Sequence, residues 1–457
     1  MSKLNIVILA AGAGKRMQSS LPKVLHTLAG NPLLLHVINT ARLLSPNKIC
    51  IVIGYGGELI QRSIVGDDLT WVMQERQLGT GHAVMQAQSH LDKDGLTLVL
   101  YGDVPLVSIH TLRELIVIAR GKYCALLTAV VEDPFGYGRI VRDSETRTII
   151  AIIEQKDADA EQQAIHEINT GVMLIPNVYL HEWLPKLENN NMQHEYYLTD
   201  IIAIAVKQNV YVASSQPENL WEVMGVNNRR QLAELERIYQ KGYADKLLDR
   251  GVGLSDPARI DIRGELVCGS DVEIDINCIF EGAVKLNDAV QVGAHCILKN
   301  VTVAAKTVIL PYSLIEDTEI GENCKIGPYA RIRPGSKLSD RVHIGNFVEV
   351  KNSQVGLGSK ANHLSYIGDS IVGENVNIGA GTITCNYDGA NKHQTIIEDD
   401  VFIGSGTQLV APVKISKGST IGAGSTITRN TPEGALTVTR TKQVSFTEWK
   451  RPVKSRK

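Results

Sequence analysis

Ile320, Ile326, Ile332, Leu338, Ile344 and Val350 stand six residues apart without a slip, and the interval returns at Ile403, Leu409, Ile415, Ile421 and Ile427. Two such runs are a poor match to chance. Glycine often follows the aliphatic residue, as in Ile320-Gly321, Ile326-Gly327, Ile344-Gly345, Ile378-Gly379 and Ile421-Gly422. A six-residue aliphatic interval with small residues after it predicts a parallel β-helix. Each aliphatic side chain points into a narrow prism, and each small residue permits a tight corner.

The first half follows another rule. Ile6 to Ala10, Ile49 to Ile53, Leu96 to Leu100 and Ala125 to Val131 read as buried strands, with helical stretches such as Pro32 to Leu44 and Ile109 to Ile118 between them. This alternation predicts an α/β domain with a mostly parallel, Rossmann-like sheet covered on both faces. A chain of 457 residues exceeds one ordinary core. The predicted division is 1–228, a helical linker over 229–250 with apolar residues at Leu232, Leu235, Ile238, Leu247 and Leu248, and 251–457. A linker helix of about 30 Å is long enough to hold two domains apart.

A net charge of −2 gives no reason to expect nucleic acid or an anionic membrane as partner. Seven scattered cysteines without a C-x-x-C fit a reduced cytosolic protein. The apolar run Leu4 to Ala11 is short for a signal peptide and leads into Gly12-Ala13-Gly14-Lys15-Arg16, so it reads as the first strand. No stretch approaches the length of a membrane helix.

Glycines after a first strand let backbone N–H groups approach phosphate closely. Leu9-Ala10-Ala11-Gly12-Ala13-Gly14-Lys15-Arg16-Met17 is such a turn, with Leu21-Pro22-Lys23 just downstream. Three cations near one loop suit a triphosphate; the plainer reading is a solvated basic face. Tyr101-Gly102-Asp103 ends another strand, at the carboxyl edge where α/β sheets bind ligands. An aspartate there suits Mg²⁺, or it caps a helix or a turn.

In the second half the regular coils break around His363 and between Thr384 and Thr395. Breaks in a repeat are where function is grafted. An imidazole is suited to taking a proton near neutrality. His363 stands in a break beside Tyr366 and basic residues, which singles it out among 12 histidines. Cys385, in the same region, raises a rival route through a covalent intermediate on its thiol.

These motifs resemble, in order and over essentially the whole chain, the bacterial family of bifunctional UDP-N-acetylglucosamine pyrophosphorylases and glucosamine-1-phosphate N-acetyltransferases. The hexad pattern is similar to the left-handed β-helix of hexapeptide-repeat acyltransferases. The pyrophosphorylase stretch usually reads G-x-G-T-R-M, with Lys15 here in place of Thr. By that resemblance Leu9, Ala10, Ala11, Gly12, Lys23, Tyr101, Gly102 and Asp103 bind nucleotide, and Gln74, Gly79 and Thr80 meet the uracil. Gly138, Glu154 and Asn169 contact the sugar, and Asp103 with Asn227 holds Mg²⁺. Arg16 and Lys23 neutralise charge as a sugar 1-phosphate attacks the α-phosphorus of UTP and pyrophosphate leaves. The nucleophile is already an anion, so no general base is needed.

For the second half the resemblance implies that His363 is the base for acetyl transfer from acetyl-CoA to glucosamine 1-phosphate. Arg333 and Lys351 hold the sugar phosphate, while Tyr366, Asn377, Asn386 and Tyr387 orient the sugar or its amine. Ala380, Ser405, Ala423 and Arg440 line the CoA groove. The family further implies a cytoplasmic homotrimer. The Thr384 to Thr395 insertion is polar, contains Gly389 and leaves the coil between two regular stretches, so it reads as an arm able to bring Asn386 and Tyr387 toward a neighbour's His363. The basic tail Lys450, Arg451, Lys454, Arg456 and Lys457 reads as a solvated terminus. Two rival readings are a single-function nucleotidyltransferase with a structural β-helix and a scaffold with dead sites. Intact Arg333, Lys351, His363, Tyr366 and Asn386-Tyr387 speak against the first, and Asp103, Lys23 and Asn227 against the second.

Overall fold

The structure, a computed structural model, describes residues 3–12 and 14–454, with only the backbone of Lys15. It separates into two compact units, one ending at Tyr239 and one beginning at Gln240.

The first unit is built on a nine-stranded sheet. Its main path runs Val212–Ser215, Cys124–Val130, Glu167–Pro176, Leu96–Tyr101, Leu4–Ala10, Lys48–Ile53, Leu69–Met73. Leu4–Ala10 pairs in parallel with both Lys48–Ile53 and Leu96–Tyr101. Alternate residues of Leu4–Ala10 enter different cores, Ile6, Ile8 and Ala10 on one face and Val7 and Leu9 on the other. That is why the run is apolar throughout rather than alternating. The sheet is mostly parallel, as expected, and its main path holds one exception. Glu167–Pro176 runs antiparallel to both of its main neighbours, Leu96–Tyr101 and Cys124–Val130. An apolar run carries no direction, so sequence periodicity gave no signal of it.

Connections from Leu4–Ala10 first lead to the Lys48–Ile53 side and later return to the Leu96–Tyr101 side. A switch point therefore opens between the carboxyl ends of Leu4–Ala10 and Leu96–Tyr101, where open α/β sheets form their ligand crevice.

The second unit is the parallel β-helix of hexapeptide repeats that the hexads imply. Ile326 lies opposite Ile344 and Ile332 opposite Val350, each eighteen residues or three hexads on. All these side chains are buried in one continuous core, so the prism is filled along its length. The spacing lengthens once: Ile378 lies opposite Ile403, twenty-five residues on. The additional residues form the loop between Ile383–Cys385 and Thr395–Ile397.

The helix Arg229–Asp249 is not a free spacer. Leu235 is fully buried against Met17, Leu28, Leu33 and Val226 of the first unit, and Glu236 accepts the Ala29 N–H at 2.7 Å. Ala244 and Leu247 belong to the β-helix core, and the Gln240 amide makes two 2.8 Å bonds to the backbone of Ile262. Each half of the helix is structural to its own unit, so a boundary at residue 228 divides the first core.

A fragment ending at 228 should therefore be less stable than one ending at 249. Loss of the buried Leu235 alone is worth about 2 kcal/mol, before the Glu236 bond is counted. Thermal unfolding of the two fragments measures it, and equal midpoints would refute the structural role of the helix.

Candidate active sites

At the switch point lies a cavity of about 290 Å³, lined by Leu9, Ala10, Ala11, Gly12, Lys23, Val24, Gln74, Gln77, Gly79, Thr80, Ala83, Tyr101, Asp103 and Glu195. Ten of these were expected from sequence to bind nucleotide or base. Gln77, between Gln74 and Gly79 in sequence, and Glu195, over a hundred residues on, were not among them. Gly14 has φ +61°, and a side chain there would meet the Cβ of Lys23 at 2.6 Å. Only glycine lets the loop cross Lys23 so closely. Gly79, at φ +107°, likewise lies against the backbone of Tyr196. Gln74 is buried, with its amide bonded to Gly79 O at 3.2 Å and to His82 Nδ1 at 3.0 Å.

Lys23 links the remaining polar groups. Its ammonium forms an ion pair with Asp103 and donates to Asn227 Oδ1 at 3.3 Å. Arg16 donates to the same Asn227 oxygen at 2.9 Å. Two hard oxygen donors, a carboxylate and an amide, thus converge on one cation position. Mg²⁺ favours such oxygen ligands and needs few from protein, since substrate phosphates supply others. Among the described residues no three His, Cys, Asp or Glu side chains gather into a metal-holding group.

Gly138, Glu154 and Asn169 lie outside this cavity's lining and approach it through Tyr101. The Tyr101 ring abuts Gly171, beside Asn169, whose Oδ1 accepts the Gly171 N–H at 3.1 Å. Burial, then the charges of Glu154 and Asp103, push the Tyr101 phenol far up, so it stays a neutral donor. Glu154 lies over Gly138 and bonds Thr199 Oγ1 at 3.1 Å. Its carboxyl is raised by burial, with Asp200, Asp157 and Glu195 adding to the shift. Glu167, two residues before Asn169 on the same strand, is held in a two-pronged pair by Arg142 at 2.7 and 2.8 Å. Gly102 packs against Leu34 and Ala10.

On the β-helix, His363 sits at a coil corner in register with Asn346, with Nδ1 2.9 Å from Asn346 Oδ1. One position along, a column of corners with positive φ climbs the helix. His295, Tyr312, Tyr329 and Phe347 stack their rings in it, with centroids 4.8, 4.9 and 5.3 Å apart. Leu364 continues the column, and above it Gly381, Gly406 and Gly424 take over at φ of +74°, +70° and +70°. The residues before these glycines are Ala380, Ser405 and Ala423, tied in sequence by Gly406 N–H to Ala380 O at 2.7 Å and Gly424 N–H to Ser405 O at 2.8 Å. Bulk thus ends at His363 and a strip of small residues begins. Arg440 stands at its far end, beside Gly422 and Gly424.

A second group of residues lies on the neighbouring face. Arg333 is paired with Glu349 at 2.8 Å. Lys351 stands 3.9 Å from Asp369, and Asn352 donates to Asp369 at 2.6 Å. Asn386 also bonds Asp369 and approaches Tyr366 Oη at 3.5 Å. Asn386 is therefore buried on its own coil, which corrects the expectation that the arm carries it to a neighbour; Tyr387 is exposed. The hydrogen bond and charge of Lys351 lower Lys392, against the pull of Asp369. Asn377 lies opposite Lys360 and Phe402. Burial pushes the Cys385 thiol up, which disfavours the thiolate that an acetyl-cysteine route needs. Asn346, Glu349, Asp369 and Lys392 escaped the sequence reading because only the coil register brings them to the site. Of the basic tail, Lys450, Arg451 and Lys454 are exposed; Arg456 and Lys457 lie outside the described residues.

Family models agree with this division. A MobA-like NTP transferase domain matches residues 6–251, a GMPPB C-terminal domain matches 262–355, and six bacterial transferase hexapeptide repeats match 394–429. A nucleotidyltransferase unit followed by a hexapeptide transferase unit defines the class. The chain is 66% identical to the bifunctional protein GlmU of Nitrosospira multiformis, covering 100% of this chain and 99% of that protein. It is 60% identical to the bifunctional protein GlmU of Nitrosomonas eutropha over the whole of both. The chain belongs to the family of bifunctional GlmU proteins. It is an enzyme joining a uridylyltransferase to an N-acetyltransferase in UDP-N-acetylglucosamine synthesis.

The Asp369 carboxylate offers a pH test of the second site. Burial alone would raise it, but hydrogen bonds from Asn352 and Asn386 and the charge of Lys351 outweigh this and hold it below the ordinary range. A depressed folded pKa contributes stability above the unfolded value, about pH 4, that is lost as pH falls through the folded value. Asn386→Ala should move the Asp369 titration upward, followed by carboxylate NMR. An unchanged midpoint would show that Asn386 does not hold it.

Proposed function

We propose that the β-helix acetylates glucosamine 1-phosphate at His363 and that the first unit transfers a uridylyl group to the product at the switch-point cavity. The observation that carries the acetyl-transfer assignment is the change at His363 from stacked rings to glycine. A strip of Ala380, Ser405 and Ala423 that starts beside the base and ends at Arg440 suits an extended pantetheine with an anionic end.

With its Nδ1–H donating to Asn346 Oδ1, His363 keeps the Nε2 lone pair for the substrate amine. The base takes a proton as the amine nitrogen attacks the thioester carbonyl, and the thiol of CoA leaves. Lys351, Lys392 and Arg333 supply positive charge for the sugar phosphate, with Arg333 exchanging its Glu349 partner. Tyr366, Asn377, Asn386 and Tyr387 orient the sugar.

At the first site Gln74, Gly79 and Thr80 take the uracil, while Gly138, Glu154 and Asn169 take the sugar. Asp103 and Asn227 would hold Mg²⁺, whose charge stabilises the phosphates when bound. Lys23 and Arg16 neutralise the phosphates as the sugar phosphate oxygen meets the α-phosphorus. The reading includes a cytoplasmic location, consistent with seven free thiols. Among the described residues no helix is long and apolar enough to cross a membrane.

Two measurements test the assignment. His363→Ala should lower CoA release roughly 10²–10⁴-fold while pyrophosphate release from UTP and N-acetylglucosamine 1-phosphate persists. EDTA should do the reverse, abolishing pyrophosphate release only. A near-normal CoA release in the variant, or equal loss of both activities under chelation, would overturn these roles.

Assembly into a homotrimer is part of the proposal, supported by the filled prism and the open outer strip, which leave acetyl-CoA to be enclosed between copies. Sedimentation should give about three times the 49.9 kDa chain mass. A monomer that releases CoA at full rate would refute it.

A further inference from the structure

Beside the nucleotide cavity the first unit has a second, more open cavity of about 610 Å³, lined by Arg16, Met17, Gln18, Asn228, Arg229 and Arg230. Three exposed arginines line one space, and no carboxylate is among its lining residues. Among the described residues none of the three forms an ion pair, although most other arginines of the unit do so or bond a carbonyl.

The placement runs against local electrostatics. Arg229 and Arg230 are the first two residues of a 21-residue helix, where the aligned peptide dipoles disfavour cations and favour anions. The helix start itself is well made: Asn228 Oδ1 accepts the Gln231 N–H at 3.0 Å, and Gln231 Oε1 accepts the Asn227 N–H at 2.8 Å. Capping therefore leaves the two arginines unexplained. Three like charges at a positive helix end are mutually repulsive until an anion lies between them.

The cavity is also joined to the reaction site. Arg16 lines it and donates to Asn227 Oδ1 at 2.9 Å, and that oxygen accepts from Lys23 at 3.3 Å. Lys23 in turn lines the nucleotide cavity. A row of cations therefore leads from where the α-phosphorus reacts to the arginine cavity.

We propose that the arginine cavity is the docking site of the leaving pyrophosphate, with Arg229 and Arg230 as its binding residues; this rests on the uridylyl-transfer reading. In that reaction the sugar phosphate oxygen bonds to the α-phosphorus and the bond from that phosphorus to the bridging oxygen breaks. Pyrophosphate departs with the electron pair. Arg16 hands the anion from Lys23 to Arg229 and Arg230. A condensed phosphate fits better than a single phosphate because three forked donors are spread round one open space.

The test uses the full chain and the double variant Arg229→Gln/Arg230→Gln. In the reverse reaction, from UDP-N-acetylglucosamine and pyrophosphate, the KM for pyrophosphate should rise at least about tenfold, the scale of one lost charge-assisted contact. The KM for the sugar nucleotide should move much less. Calorimetric titration with inorganic pyrophosphate, without nucleotide, should show the same weakening, and orthophosphate should bind the parent far more weakly than pyrophosphate. A KM for the sugar nucleotide close to the parent's reports that the first unit of the variant is folded. An unchanged pyrophosphate KM and affinity in an active variant would overturn the docking site while leaving uridylyl transfer intact. Equal binding of orthophosphate and pyrophosphate would overturn the leaving-group assignment. A parent chain that forms no UDP-sugar would bring down the uridylyl reading itself, and the inference with it.

Discussion

The filling of the β-helix prism governs the second half of this protein. Each coil turns three aliphatic side chains inward, and their successors stack on them with a repeat of about eighteen residues. Interiors packed to crystal-like density leave no space for a ligand. All chemistry is thereby displaced to the corners and outer faces, where the hexad rule constrains only every sixth residue. The corner column shows the consequence. The same left-handed backbone position accepts Tyr312, Tyr329 and Phe347, whose ring stacking offsets the strain of a side chain at positive φ, and then Gly381, Gly406 and Gly424, which have no such strain. One backbone geometry thus yields a ridge below His363 and a channel above it.

The first unit meets a different constraint. Its sheet is covered on both faces, so a ligand has access only where connections diverge. The residues there are held by close approaches that only particular side chains permit, such as Gly14 over Lys23 and Gly171 against the Tyr101 ring. The two units share one electrostatic device. In each, cations are gathered at a rigid edge, where the proposed function puts phosphate: Lys23 and Arg16 around Asn227 in one, Lys351 and Lys392 beside Asp369 in the other. Such preorganisation means that little reorganisation is needed as phosphate charge shifts.

Much of this was legible in the residues alone, for definable reasons. Period six names the β-helix, since few chain geometries repeat at that interval. The motif at 9–17 lies on one strand end, so its residues remain neighbours in space as they are in sequence. What escaped depends on distances the sequence does not encode. The antiparallel direction of Glu167–Pro176 leaves no mark in its composition. Glu195 lines the nucleotide cavity from over a hundred residues beyond Gln74, and Asn346 reaches His363 only because the register sets them opposite. The connecting helix was readable as a helix, but not as part of both cores. Its apolar residues at Leu232, Leu235 and Leu247 suit a packed helix, and periodicity does not say what they pack against.

Lys23 shows how one side chain can serve two states of a site. Its ammonium pairs with the partly buried Asp103 carboxylate and shares the Asn227 amide oxygen with Arg16. Both side chains of the ion pair are largely shielded, at 14% and 16% exposure, so leaving Asp103 unpaired would be costly. In the proposed function Asp103 and Asn227 would hold a divalent ion, and Lys23 would then be available to the phosphates. Lysine suits this exchange better than arginine: it is a compact point charge on a flexible stem and can follow the phosphates rather than hold a fixed fork. Under that proposal the neighbouring Arg16, which shares the Asn227 oxygen, would be available in the same way.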